Sequence, residues 1–67
     1  MTYDIEIIAT PEEEQQLYDL IKRYNLTYAE YSNPEDDFYY IHAMEVSEHQ
    51  LLLLRLTGAE IYPRPSK

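Results

Sequence analysis

Two helix-start signatures and one strand-like alternation predict an α+β fold of order β-α-β-β-α-β. The signatures are Thr10-Pro11-Glu12-Glu13 and Ser47-Glu48-His49-Gln50. In each, a hydroxyl residue stands three positions before Glu or Gln, the spacing at which the two side chains cap each other's backbone N–H groups. The alternation lies near the N-terminus, where Ile5 and Ile7 interleave with Asp4 and Glu6. That is the period of a strand with one buried face.

Tyr3 to Ala9 read as the first strand. Pro11 fits the first helical position, where its missing N–H has no partner to lose. Glu12, Glu13 and Glu14 suit the positive end of the helix dipole. Leu17, Leu20, Ile21 and Tyr24 then recur at helical spacing as one apolar stripe. Lys22 and Arg23 suit the last turn and Asn25 is an acceptable stop, so the helix is bounded near Pro11–Tyr24. Leu26 to Tyr31 read as a second strand. Ser32-Asn33-Pro34-Glu35-Asp36-Asp37 reads as a turn, because the residue before proline avoids the helical region and the charges favour water. Phe38 to Val46 is a third strand, rich in aromatic and β-branched residues. The short connection makes strands two and three a hairpin. The second helix, Glu48 to Thr57, carries Leu51, Leu52, Leu53, Leu54 and Leu56, with Gly58 at its stop. Ala59 to Tyr62 is the last strand, ended by Pro63, and Pro63 to Lys67 is a loose tail.

This order is the split β-α-β arrangement of ferredoxin-like folds. It implies a compact ferredoxin-like sandwich, with right-handed crossovers laying two helices on one face of a four-stranded antiparallel sheet. Strands one and three are central in it. Many unrelated functions use this architecture, so it argues no role. The 67 residues make one small acidic domain, residues 1–67. A chain this short buries only about 60% of the surface its unfolded form exposes. Cysteine is absent, so packing must hold it, alone or with oligomerisation.

Thirteen Asp and Glu against five Lys and Arg give a net charge of −8. Such a charge repels nucleic acid and anionic lipid. The N-terminus lacks the basic and apolar regions of a signal peptide. The longest apolar run, Leu51 to Leu54, is far short of a membrane span. The expectation is a cytoplasmic protein that binds neither nucleic acid directly nor membrane.

If Ile5 and Ile7 face the helices, Asp4, Glu6 and Ile8 face away. The same alternation points Ile41 and Ala43 inward and Tyr40, His42 and Met44 outward. The opposite phase, with Phe38, Tyr40, His42 and Met44 buried, stays open for this strand. On the second strand the outward set is Tyr28 and Glu30, and on the last it is Glu60 and Tyr62. Aromatics on the central strands of this fold can stack RNA bases. Such a platform needs Lys and Arg for phosphate, whereas this face offers carboxylates. Carboxylates pair with Arg and Lys, and tyrosine rings take Arg by cation–π contact, so the face suits a basic protein surface.

The expected partner-binding residues are Asp4, Glu6, Tyr28, Glu30 and Tyr40, flanked by the turn acids Glu35, Asp36 and Asp37. The sharpest form of this reading is mimicry of nucleic acid, with carboxylates standing where phosphates would in a nucleic-acid-binding groove. In size and charge alone, the chain resembles the small acidic inhibitors of phages, which work this way as a class. That resemblance implies a phage- or mobile-element-encoded inhibitor acting by steric and electrostatic occlusion. The same charge also serves plain solvation. A second reading starts from the leucine run. A helix apolar around most of its circumference either wedges into a core or leaves Leu52, Leu53 and Leu56 as a strip for a homodimer. The protein would then be a self-associating regulatory or scaffold module.

Chemistry finds little support. His42 and His49 lack H-x-x-x-H or H-E-x-x-H spacing, so no metal site is expected. Glu35-Asp36-Asp37 lacks the glycine and spaced oxygens of an EF-hand loop. There is no glycine-rich phosphate loop, cysteine nucleophile or serine elbow. Acid–base work needs a pocket that splits carboxylate pKa values, and so short a chain leaves little room for one. Neither a cofactor nor an enzymatic activity is expected.

Overall fold

The computed structural model describes residues 1–32 and 35–66. The chain runs β1 (Thr2–Ala9), α1 (Pro11–Arg23), β2 (Thr27–Ser32), β3 (Tyr39–Ser47), α2 (Glu48–Arg55) and β4 (Glu60–Pro65). The strands form one antiparallel sheet in the order β2-β3-β1-β4. This is the ferredoxin-like α+β arrangement that the sequence predicts, with β1 and β3 central. The Asn33-Pro34 step of the predicted turn lies outside the described residues, as does Lys67 at the end of the tail.

Both capping boxes form. Thr10 Oγ1 accepts from the Glu13 N–H at 3.3 Å, and Glu13 Oε1 accepts from the Thr10 N–H at 3.0 Å. Ser47 and Gln50 repeat the exchange at 3.2 and 3.0 Å. Beyond the helices, Asn25 has φ 54° and Gly58 φ 90°, left-handed values that favour these two residues. α2 ends at Arg55 rather than Thr57 because the chain tightens there. The Leu56 N–H is shared between the Leu52 and Leu53 carbonyls, and the Thr57 N–H reaches Leu54, the three-residue spacing of a tighter helical turn.

The core lies between the sheet and the helices. Ile5, Ile7 and Ala9 of β1 and Ile41, Ala43 and Val46 of β3 meet Leu17 and Ile21 of α1 and Leu51 and Leu54 of α2. Strict alternation from Ala43 would send Glu45, not Val46, into this core. The register slips instead: Ile5 pairs with Ala43, but Tyr3 pairs with Val46. β3 therefore carries one extra residue, a β-bulge, and Glu45 there takes φ 56°. Asp4 Oδ1 accepts from the Glu45 N–H at 3.2 Å and from the Ser66 hydroxyl at 3.1 Å. The carboxylate thus satisfies a donor that the bulge leaves unpaired.

β4 does not end at Pro63. It stays paired with β1 through Pro65, with Pro63 opposite Ile5 and Pro65 opposite Tyr3. The segment expected to be a loose tail is strand as far as Pro65. The Ser66 N–H donates to the Thr2 carbonyl at 3.2 Å. Residues of an antiparallel pair alternate in which side their backbone groups face, so Arg64 and Tyr62 also bond to β1. Pro63 and Pro65 then turn their missing donors outward from an edge strand, the place in a sheet where proline loses no bond. No helix among the described residues is long and apolar enough to cross a membrane.

Candidate partner interface

The sheet face away from the helices is laid out in rows by the strand register. One row runs Tyr31, Tyr40, Ile8, Glu60, and the next runs Ala29, His42, Glu6, Tyr62. Beyond them Asp4 stands beside Arg64, and Thr27 beside Met44. The outward phase of Tyr40, His42 and Met44 is therefore the one realised, with Ile41 and Ala43 buried.

Tyr31 and Tyr40 stack with ring centroids 5.7 Å apart and planes within 10°. The Tyr40 hydroxyl donates to Asp36. Asp36 also accepts from the Phe38 N–H at 3.1 Å, a local turn that carries the chain into β3. The bond to Asp36 raises the Tyr40 pKa above the ordinary phenol value, with desolvation and the nearby charges adding to it. Tyr62 donates to Glu60 Oε2 at 2.8 Å, and that bond raises its pKa in the same way. Glu6 lies 3.5 Å from Arg64 Nη2 and 3.8 Å from His42 Nδ1.

Tyr28 and Glu30 are not on this face. Tyr28 stands opposite Ala43 and Glu30 opposite Ile41, so both side chains share the side that carries the helices. Tyr28 meets Tyr18 of α1 edge to face at 5.8 Å and 68°. Tyr18 and Glu14 of α1 lie close enough to Glu30 to feel its negative charge. Desolvation first, and then Glu30, push Glu14 above the usual carboxylate range and Tyr18 well above the usual phenol range. The expected phase failed here for a physical reason. All residues of β2 are exposed, and a strand with no buried face has no alternation to set its register.

The other expected contacts divide. Glu6, Glu35, Asp37 and Glu60 are exposed. Asp4 faces outward as expected, but its carboxylate is engaged by the bulge and by Ser66. Leu52 and Leu56 are 62% and 82% exposed, while Leu53 is half-buried in a shallow groove of about 270 Å³ with Leu20 and Leu56. A wider hollow of about 590 Å³ lies at the Asp4 end of the sheet, between Met1, Thr27, Met44 and Pro65. His42 sits on the open face and His49 in the exposed first turn of α2. No group of three or more potential ligands among the described residues is placed to hold a metal ion.

One pattern escaped the sequence reading. Tyr3, Tyr40 and Tyr62 each bond through the hydroxyl to a carboxylate, respectively Glu48, Asp36 and Glu60. Two of these pairs were legible. Glu60 and Tyr62 stand two apart on one strand face, and Asp36 and Tyr40 flank the start of β3. Such a bond orients a carboxylate without cancelling its charge. No family model matches the sequence, and no curated protein or solved structure is detectably similar to it.

Proposed function

We propose that this protein is a cytoplasmic, non-enzymatic binding module whose acidic, tyrosine-bearing sheet face occludes a basic, nucleic-acid-binding surface of another protein. It would act as an inhibitor of the kind that phages and mobile elements encode. The observation that supports this reading is the pairing of Tyr40 with Asp36 and Tyr62 with Glu60 on one open face, beside the exposed Tyr31 ring. Each hydroxyl fixes an anion in place, and the rings beside it stay available to arginine. Rigid aromatics lose little entropy on binding, and a net charge of −8 speeds encounter with a basic surface. The contact set is Glu6, Tyr31, Tyr40, Glu60 and Tyr62, flanked by Glu35, Asp36 and Asp37. Asp4 supports this set through the bulge.

Capture of partners from a host lysate, followed by challenge with duplex DNA and with RNA, tests the reading. A nucleic-acid-binding protein should be retained at low salt, lost as salt rises, and displaced by excess nucleic acid. Partners that survive both high salt and excess nucleic acid would refute occlusion.

The exposure of Leu52 and Leu56 favours a second reading, a homodimer through α2. That interface would hold or strengthen with salt. Sedimentation of the parent and of Leu56→Glu decides it: a monomer at high micromolar concentration, unchanged by the substitution, removes the dimer.

A further inference from the structure

The two edges of the sheet are unlike. β1 turns Thr2, Asp4, Glu6 and Ile8 toward β4, as the Ser66 to Thr2 bond shows, so Ile5, Ile7 and Ala9 bond to β3. Their partners are Ala43, Ile41 and Tyr39. Tyr40, His42 and Met44 therefore bond to Tyr31, Ala29 and Thr27 of β2. By the same alternation Tyr28, Glu30 and Ser32 turn their N–H and C=O groups outward, and no described residue bonds to them. On the opposite edge the outward positions are Ile61, Pro63 and Pro65, and the prolines remove two donors. Proteins commonly guard sheet edges with proline, lysine or a bulge. Here one edge is guarded by proline, and the outward ladder of β2, about 14 Å long, carries none of the three.

We propose that the outer edge of β2 takes up an extended segment of a basic partner as a fifth strand, with an Arg or Lys of that segment set against Glu30. The proposal rests on the basic-partner reading above and adds where and how part of that partner docks. Charge selects the occupant. On the helix side the incoming strand meets exposed Glu30, beside the point where Tyr18 of α1 reaches Tyr28 and near enough to Glu14 for their charges to act on each other. The two carboxylates repel each other, and a cation on this edge relieves both. On the open side it meets Tyr31, 58% exposed and stacked on Tyr40, a seat for an apolar side chain. Side chains alternate along a strand, so the segment that fits is basic at every second position and apolar between. A second copy fits poorly, because β2 against β2 would bring another net charge of −8 and a second Glu14–Glu30 pair to the same edge.

The probe is a short synthetic peptide alternating Arg and Val, compared with a form N-methylated at the backbone positions that face β2. Anisotropy reads affinity, and amide hydrogen exchange reads the edge. The unmodified peptide should bind and protect the N–H groups of Tyr28, Glu30 and Ser32. N-methylation, which leaves charge intact, should weaken binding about tenfold or more, the loss expected for two or three backbone hydrogen bonds. Glu30→Gln should weaken it as well. Glu30→Pro, which removes an outward donor at a position where an edge strand tolerates proline, should abolish it. Equal affinity of the two peptides overturns strand addition yet leaves the basic-partner reading standing. Absence of binding at low salt overturns it too, and the lysate capture then judges the other reading separately. A dimer whose β2 amides are protected without peptide also overturns it and gives the edge to a second copy.

Discussion

Leu54 and Leu56 stand two residues apart in one leucine run and differ sharply in burial. Leu54 is 1% exposed and lies in the core, whereas Leu56 is 82% exposed. Leu54→Ala removes three carbon atoms, about 2.4 kcal/mol at roughly 0.8 kcal/mol per buried methylene. The void left against Leu17, Ile21 and the sheet adds to this, for a total of about 3–5 kcal/mol. A small domain has roughly 5–15 kcal/mol of stability and loses about 4–8 °C of melting temperature per kcal/mol, so the variant should melt at least about 12 °C below the parent. Leu56→Ala should stay within about 0.5 kcal/mol. Urea unfolding followed by far-ultraviolet circular dichroism gives both values, read as midpoint shifts at constant slope. Equal costs at every protein concentration would mean that α2 packs on a different face, and the core assignment would fall. A Leu56→Ala cost that grows with concentration would instead support the α2 dimer.

Gly58→Ala should cost about 1–2 kcal/mol, because φ 90° is a conformation that L side chains rarely adopt and the new Cβ would lie 3.3 Å from Glu13 Oε2; an unchanged urea midpoint refutes this. Glu14 has a raised pKa in the fold, so its contribution to stability is present below the ordinary value of 4.5 and lost as pH rises through the raised one. Glu14→Gln should therefore unfold at higher urea than the parent at pH 7, with the gap closing in acid; a lower midpoint at pH 7 contradicts it. Tyr18, Tyr40 and Tyr62 are raised above the ordinary 10.0. Their contribution is present below pH 10 and lost as pH climbs through their raised values. Absorbance titration should show a late-ionising phenol fraction that shrinks in Tyr18→Phe, and an unaltered curve refutes the raised pKa that burial and Glu30 give Tyr18.

The element order was legible because its signals are local. Each capping box needs only four consecutive residues, and the alternation of Ile5 and Ile7 needs no partner strand. The phase of β3 was legible in outline because Ile41 and Ala43 have a core to face. The bulge at Glu45 was not, since it depends on the Asp4 carboxylate across the sheet. Pro63 read as a stop because proline cannot donate to a ladder on both sides, and only the pairing shows that β4 is an edge whose outward positions accept it. The candidate site followed the same division. Glu6 and Tyr40 lie on strands with a buried face, and alternation alone places them on the open side. The phase of β2 was inverted, with Tyr31 and not Tyr28 and Glu30 on the open face, because β2 is exposed throughout and its register comes entirely from β3.

In the proposed function, the carboxylates of the open face do the recognising. Association kinetics with the captured partner, at several salt concentrations, test it most directly. The variant to compare is Glu6→Gln combined with Glu60→Gln and Asp37→Asn, which leaves Asp4 and the bulge intact. It should associate more slowly than the parent and with a flatter salt dependence, whereas Tyr31→Ala should chiefly raise the dissociation rate. Full-strength binding by the triple variant, with the salt slope of the parent, would show that the acidic face is a solvated surface and nothing more.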